Sequence, residues 1–408
     1  MMKIISGGVT APKGFEAAGI EAGIKYENRK DMALIYSTLP CIAAGTFTSN
    51  VVKAAPVKWD KKLIEESPYI QAVVVNTGIA NAGTGKDGMA CAEETAKTVA
   101  EALGLPTEAV LVGSTGVIGP LLPMDRIKAG IGKLVAAKAA TFQAGADAAR
   151  AIMTTDTHPK EFAVQLDIGG TTVTLGVISK GSGMIHPNMC TMLSFVATDA
   201  VISKQTLTAL VKEDVKSTYN MISVDGDTST NDTFVVLANG AAGNPEILPG
   251  TKAYEAFKEA LHTVNEHQAK ALAGDGEGAT ALVECQVTGA DTLENARILA
   301  KSVISSSLTK AAIFGHDANW GRILCAMGYS GAIFDPDNLA IWIEGGGKKI
   351  LICENGIGQD YSEEEATGIL SQKEVRIICD MKMGMETATA WGCDLSYEYV
   401  RINGDYRS

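Results

Sequence analysis

Lys180-Gly181-Ser182-Gly183-Met184-Ile185-His186-Pro187-Asn188-Met189-Cys190-Thr191-Met192-Leu193 is a glycine- and proline-containing loop that ends in a hydroxyl residue and opens onto an apolar stretch. Glycine adopts positive φ angles that other residues reach only under strain, and proline fixes φ at roughly −65°, so the peptide bond before Thr191 lies where a loop can distort it. Attack of Thr191 Oγ on the Cys190 carbonyl would turn that amide into an ester. Hydrolysis of the ester would then free a chain beginning with Thr191. A threonine whose own α-amine lies beside its hydroxyl is an activated nucleophile, with the amine as general base. The α-amine pKa of roughly 7.7–8.0 suits that task near neutral pH. On local chemistry alone, a turn or a helix cap is the commoner fate of such a threonine.

Outward from this loop, the 408 residues offer material for one large or two ordinary domains. With 46% hydrophobic and 20% charged residues the chain has a globular composition. A net charge of −12 argues against nucleic acid and anionic membranes as partners, since both select basic patches. The first residues, Met1-Met2-Lys3-Ile4-Ile5-Ser6-Gly7-Gly8, contain no apolar secretory core. No apolar run reaches the roughly 20 residues of a membrane span. A cytoplasmic protein is expected. Cys41, Cys91, Cys190, Cys285, Cys325, Cys353, Cys379 and Cys393 form no C-x-x-C pair and read as small buried hydrophobes. The five histidines show no H-x-x-x-H spacing, so no metal is expected.

Short β-rich runs alternate with alanine-rich stretches of helical period. Ala72–Val75 and Ala109–Val112 read as strands. The first would run into a loop from Asn76 to Gly85, the second into Gly113-Ser114-Thr115-Gly116. Helices are expected at Ala90–Leu103 and over a long region from Asp125 to Met153. Phe162–Ile178 reads as two strands turning at Gly169-Gly170. A helix is expected after Thr191, then a strand at Thr233–Leu237 and helices at Tyr254–Leu272 and Leu293–Thr309. Further strands fall at Ala281–Val287, Ala340–Glu344, Ile350–Cys353 and Glu374–Asp380. This order implies mixed α/β sheets covered by helices, with no internal repeat and no low-complexity linker.

Four other segments carry possible chemistry. Gly113-Ser114-Thr115-Gly116-Val117-Ile118-Gly119 closes a strand with exposed backbone N–H groups, as acyl transfer requires where a carbonyl oxygen gains charge. An ordinary strand-to-helix turn is the plainer reading. Ser114 lacks the G-x-S-x-G setting of a hydrolase nucleophile. Met153-Thr154-Thr155-Asp156-Thr157-His158-Pro159-Lys160 reads as a helix end and capped turn, and Lys180 as a solvated lysine. Gly274-Asp275-Gly276-Glu277-Gly278-Ala279-Thr280 is acidic and lacks the G-x-x-x-x-G-K-[ST] phosphate cradle and the remaining ligands of a calcium loop.

Taken together and in order from about Asn76 to Ser408, these segments resemble the glutamate N-acetyltransferase (ornithine acetyltransferase) family of arginine biosynthesis. That family usually has alanine where this chain has Cys190, and often cysteine where it has Gly83. The resemblance implies a layered α/β/β/α core of the ornithine acetyltransferase/aminopeptidase type with a smaller C-terminal region. It implies self-cleavage between Cys190 and Thr191, giving an α chain of residues 1–190 and a β chain of 191–408 that stay in one intertwined core as an α2β2 heterotetramer. It assigns the nucleophile to Thr191 and the oxyanion hole to Thr115 and Gly116. Substrate contacts are assigned to Thr154, Lys180, Thr191, Glu277, Asn403 and Ser408, with Lys180 on the substrate carboxylate. A carboxylate at Glu277 would suit the ammonium of ornithine. The implied reaction moves acetyl from N-acetyl-L-ornithine to L-glutamate through an acetyl-threonine ester, without a cofactor, and leaves acetyl-CoA open as a second donor. Ser223–Asp232 and Gly315–Arg322 resemble family segments and read as scaffold around the site. The alternatives are a threonine-nucleophile aminopeptidase or amidase that passes its acyl group to water, and a non-enzymatic amino-acid-binding protein in which the Thr191 loop is a lid.

Overall fold

The computed structural model describes residues 2–186 and 192–406; the expectations for Cys190, Thr191 and Ser408 lie outside the described residues. Nine strands form one sheet, eight along a hydrogen-bonded path and Phe15–Ile20 beside it, and the sheet folds back on itself at the strand Met32–Phe47. The first half of that strand pairs with Phe15–Ile20 and Ile70–Ile79, and the latter pairs in parallel with Val110–Val117. Its second half pairs with Thr233–Ala238, and the ladder continues through Leu193–Thr198, Thr171–Lys180 and Lys160–Ile168 to Lys3–Ile5. The register with Ile70–Ile79 shifts between Tyr36 and Cys41. There Pro40, which donates no ladder bond, follows Ser37-Thr38-Leu39, and the strand passes from one leaf to the other.

Side-chain alternation then dictates four layers. Phe15, Ile35, Val73, Val75 and Leu111 from one leaf meet Ile178, Leu193, Phe195, Ala197, Val235 and Leu237 from the other. On the outer face of the first leaf, Leu34, Ala72, Val74, Val110 and Val112 pack on Val99 and Ala100 of helix Gly85–Leu103 and on Ile127 and Ile131 of helix Met124–Ala137. On the outer face of the second, Val164, Leu175, Val177, Val196, Phe234 and Val236 share a core with Leu207 and Leu210 of helix Lys204–Asp214 and with Phe257, Leu261 and Val264 of helix Lys252–Gly274. The α/β/β/α core is therefore present. So is the smaller C-terminal region, a seven-stranded sheet centred on Leu282–Ala290 and Glu374–Asp380 and flanked by helices that include Leu293–Ser305 and Glu363–Leu370.

Several expected bounds change, each for a local reason. Gly113-Ser114-Thr115-Gly116 is not a loop, because the parallel ladder with Ile70–Ile79 carries the strand through to Val117. For the same reason Asn76–Ile79 is strand, and the following helix begins at Gly85. The region Asp125–Met153 is two helices separated at Lys138–Thr141, where Thr141 caps the second helix by accepting from the Ala144 N–H. Ser306 divides the expected Leu293–Thr309 helix in the same way, accepting from the Thr309 N–H. After residue 191 the first element is the strand Leu193–Thr198, a buried run closed in by strands on both sides. The helix follows only at Lys204. Cys41, Cys285, Cys353, Cys379 and Cys393 are buried, but Cys91 is half-buried and Cys325 exposed on its helix. Among the described residues no helix is long and apolar enough to cross a membrane.

Candidate active site

Residues far apart in the chain converge on one cavity of about 140 Å³, lined by Thr115, Gly116, Thr154, Lys180, Glu277 and Asn403, and by Met192 and Leu193, which follow the expected cleavage point. The strand Val110–Val117 brings Thr115 and Gly116 to its C-terminal end, where the pairing with Gly78 and Ile79 becomes irregular. Such bulges re-aim a strand's backbone and often border active sites. Gly116 has φ of 131°, and a Cβ there would lie 2.2 Å from the Gly78 carbonyl carbon. Only glycine fits. Asn231 ties this strand end to the segment downstream of Thr191, its Nδ2 donating to the Ala80 oxygen at 2.6 Å and to the Ser114 oxygen at 2.7 Å.

Lys180 ends the strand Thr171–Lys180 with its side chain turned inward, and its Nζ donates to Thr115 Oγ1 at 3.2 Å. The ammonium is thus placed beside the end of the strand Val110–Val117 and is buried, not solvated. Burial pushes its pKa down; Asp156, Asp232 and Glu277 oppose that shift, and Lys160 adds to it. Beneath it lies a buried ionic network. Lys160 Nζ donates to Asp156 Oδ1 at 2.7 Å and to Asp275 Oδ2 at 2.5 Å. Asp156 also accepts from the Gly181 N–H at 2.7 Å and the Thr154 N–H at 3.0 Å. Asp275 accepts from the Thr157 N–H at 3.1 Å, and its carbonyl oxygen accepts from Ser182 Oγ at 2.6 Å. Three cavity-lining segments, Thr154–Lys160, Lys180–Gly183 and Asp275–Glu277, are thereby fastened to one ammonium. Burial alone would raise the Asp156 carboxyl, but Lys160, Lys180 and the Gly181 N–H outweigh it and hold it far below the usual carboxylate range.

Glu277 is buried in the cavity wall, its N–H bonded to the Ser182 oxygen at 3.0 Å. Its Oε2 accepts from Asn403 Nδ2 at 2.7 Å. Asn403 belongs to the terminal helix Tyr397–Asp405, and with Tyr406 it brings the C-terminal segment into the cavity wall. Gly183 faces Glu277 so closely that a Cβ would lie 2.4 Å from its carboxyl carbon. Asp225 accepts from the Met184 N–H at 2.6 Å and the Ile185 N–H at 2.9 Å, holding the loop that follows Gly183.

Ser223–Asp232 is therefore more than general scaffold: Ser229 to Asp232 line the cavity, as does Thr155. The run's dense Asp, Thr and Asn content was the available signal. Gly315–Arg322 is elsewhere, where Asn319 caps the helix Trp320–Gly328 of the C-terminal region and none of the run lines the cavity. The buried Lys160 network leaves no signal in the sequence, where a lysine opening a strand reads as solvated. No cluster of metal-ligating side chains exists among the described residues.

The layers define an α/β/β/α protein with its cavity at the C-terminal end of the strand Val110–Val117. The model of the ArgJ family matches residues 16–408. The chain belongs to that family. It is 53% identical over 409 residues to the arginine biosynthesis bifunctional protein ArgJ of Symbiobacterium thermophilum, covering 100% of both chains. It is 50% identical to the protein of the same name from Thermotoga neapolitana, over 97% of this chain and 99% of that one. A crystal structure of arginine biosynthesis bifunctional protein ArgJ from Bacillus halodurans matches with a TM-score of 0.50 and 45% identity, over 52% of this chain and 98% of the solved chain.

Proposed function

We propose that this chain is a self-processing glutamate N-acetyltransferase. Thr191 Oγ attacks the Cys190 carbonyl, the C–N bond breaks to leave an ester, and water hydrolyses it to release residues 191–408 with a free Thr191 amine. That amine takes the hydroxyl proton as Thr191 Oγ attacks the acetyl carbonyl of N-acetyl-L-ornithine. Thr115 and Gly116 donate to the oxygen that gains charge. Collapse breaks the amide bond, the proton passes to the departing ornithine nitrogen, and an acetyl-threonine ester remains. The amine of L-glutamate then attacks this ester, and N-acetylglutamate leaves as Thr191 regains its proton. Lys180 binds the substrate carboxylate, Glu277 the ornithine ammonium, and Thr154, Asn403 and Ser408 complete the contacts. The relatives' description as bifunctional is consistent with a second donor, acetyl-CoA, charging the same threonine. We assign the enzyme to the cytoplasm and to an α2β2 assembly.

The observation that carries this reading is the convergence of Thr115, Gly116, Thr154, Lys180, Glu277 and Asn403, drawn from five separate segments, around one cavity bordered by Met192. Its roughly 140 Å³ is small beside the 300–1,000 Å³ of drug-sized pockets, a scale suited to an amino acid. The experiment is to mix enzyme with N-acetylornithine without acceptor and take the mass of the peptides. One added acetyl group on the peptide beginning at Thr191, removed by glutamate, is the expected result. Turnover with no acetyl-enzyme and intersecting initial-rate plots would contradict the ping-pong order.

A further inference from the structure

Helices Ala55–Glu66 and Lys204–Asp214 flank a second cavity, of about 360 Å³, whose floor is Gly45–Thr48. Over Ile42–Phe47 that strand is paired with Thr233–Ala238 on one side, while its partner on the other, Ile70–Ile79, ends its ladder at Cys41. Lys204, Thr208 and Lys212 line the cavity at successive helical turns, i, i+4 and i+8, so they form one stripe. Lys61 faces them from the other helix, and Lys53 from the loop before it. Four ammonium groups thus meet a single carboxylate, Glu65, in a chain of net charge −12. Among the described residues, Lys53 and Lys204 donate to carbonyl groups, the Asn50 oxygen at 3.0 Å and the Ser67 oxygen at 3.4 Å. Like charges brought together repel, and Lys204 occupies the first turn of its helix, where the macrodipole disfavours a cation. A bound anion would offset both costs. Phe47 and Ile64 add an apolar surface.

The geometry points to this cavity as a binding site for a phosphate-bearing organic anion of nucleotide size. Its volume suits such a ligand, and clustered ammonium groups over strand backbone are a phosphate-binding chemistry. The cavity also borders the acyl site. Thr48 Oγ1 donates to the Ser229 oxygen at 2.7 Å, the Ala54 N–H donates to the Thr230 oxygen at 2.9 Å, and both Ser229 and Thr230 line the first cavity. Phe47 is in register with Thr233, and Thr233 with Leu193, so two strand spacings, roughly 10 Å, separate the floor from the strand that follows Thr191. The occupant is either a free nucleotide or the nucleotide handle of an acyl thioester donor. The second source rests on the function proposed above; the site itself does not.

The test is equilibrium binding of ADP, coenzyme A and inorganic phosphate to the full protein, wild type and Lys61→Glu/Lys204→Glu, with Lys61→Gln/Lys204→Gln as a milder pair. ADP should bind the wild type and weaken roughly tenfold or more on charge reversal, while acetyl transfer from N-acetylornithine stays unchanged and reports intact folding. Absence of ADP binding to the wild type, or equal binding to wild type and variants, overturns the site. Inorganic phosphate binding as tightly as ADP overturns its nucleotide size. Transfer from acetyl-CoA and from S-acetylpantetheine, which lacks the nucleotide, separates the sources: charge reversal that slows only acetyl-CoA supports the donor's handle, and equal rates support a free nucleotide. Loss of all transfer in the wild type would count against the proposed reaction and leave the binding result readable.

Discussion

At the scale of single residues, Lys180 and Gly116 carry the sharpest expectations. Lys180→Met removes a buried ammonium that donates to Thr115 Oγ1 and is proposed to bind the substrate carboxylate. A charge-assisted bond contributes about 1.5–3 kcal/mol, so KM for N-acetylornithine should rise roughly ten- to a hundred-fold, with kcat changed less. Steady-state kinetics reads the split. Because burial lowers the Lys180 pKa, its ammonium loses its proton below the ordinary lysine range. Substrate affinity should therefore be full at low pH and fall as pH rises through that lowered value, a KM trend absent from the methionine variant. Gly116→Ala forces a Cβ into the Gly78 carbonyl at a φ of 131°. Gly116 is proposed as an oxyanion donor; displacing such a donor costs about 10²–10³ in kcat, and that loss, with KM little changed, is expected in a variant that still folds.

At the scale of elements, the Asp156–Lys160–Asp275 network holds three segments in place. Lys160→Met would leave two buried carboxylates facing each other, and breaking a buried pair this way costs about 3–5 kcal/mol. Urea unfolding should show that loss. The Asp156 carboxyl is depressed in the folded protein. Its contribution to stability is full above the unfolded value of about 3.9 and is lost as pH falls through the lower folded value. Acid unfolding of the wild type should accordingly steepen below about pH 4. Little of this network was legible in the sequence, because Lys160 gives no local sign that two distant carboxylates will enclose it. Strands with plain alternation, such as Phe162–Ile178, read easily. Met32–Phe47 did not, since Pro40 interrupts a strand that serves two leaves. Leu193–Thr198 was missed because a short buried apolar run has no period that separates strand from helix. The candidate site was legible chiefly through family-like motifs, and Asn403 illustrates the limit: its tail position suggests fraying, while its bond to Glu277 is a tertiary fact.

At the scale of the whole molecule, the proposed cut divides a single sheet. Thr171–Lys180 and Leu193–Thr198 are neighbouring antiparallel strands with continuous register, and Thr233–Ala238 pairs with Met32–Phe47. Residues 1–190 and 191–408 should therefore co-elute in size-exclusion chromatography and part only under denaturant; separation under native conditions would oppose the shared core. Whether the precursor cuts itself at Thr191 is the central claim, and intact mass spectrometry of the purified wild type and Thr191→Ala tests it most directly. The account predicts two fragments in the wild type, the second beginning with Thr191, and one uncut chain in the variant. A single uncut wild-type chain, or cleavage at this bond that persists in Thr191→Ala, would contradict it.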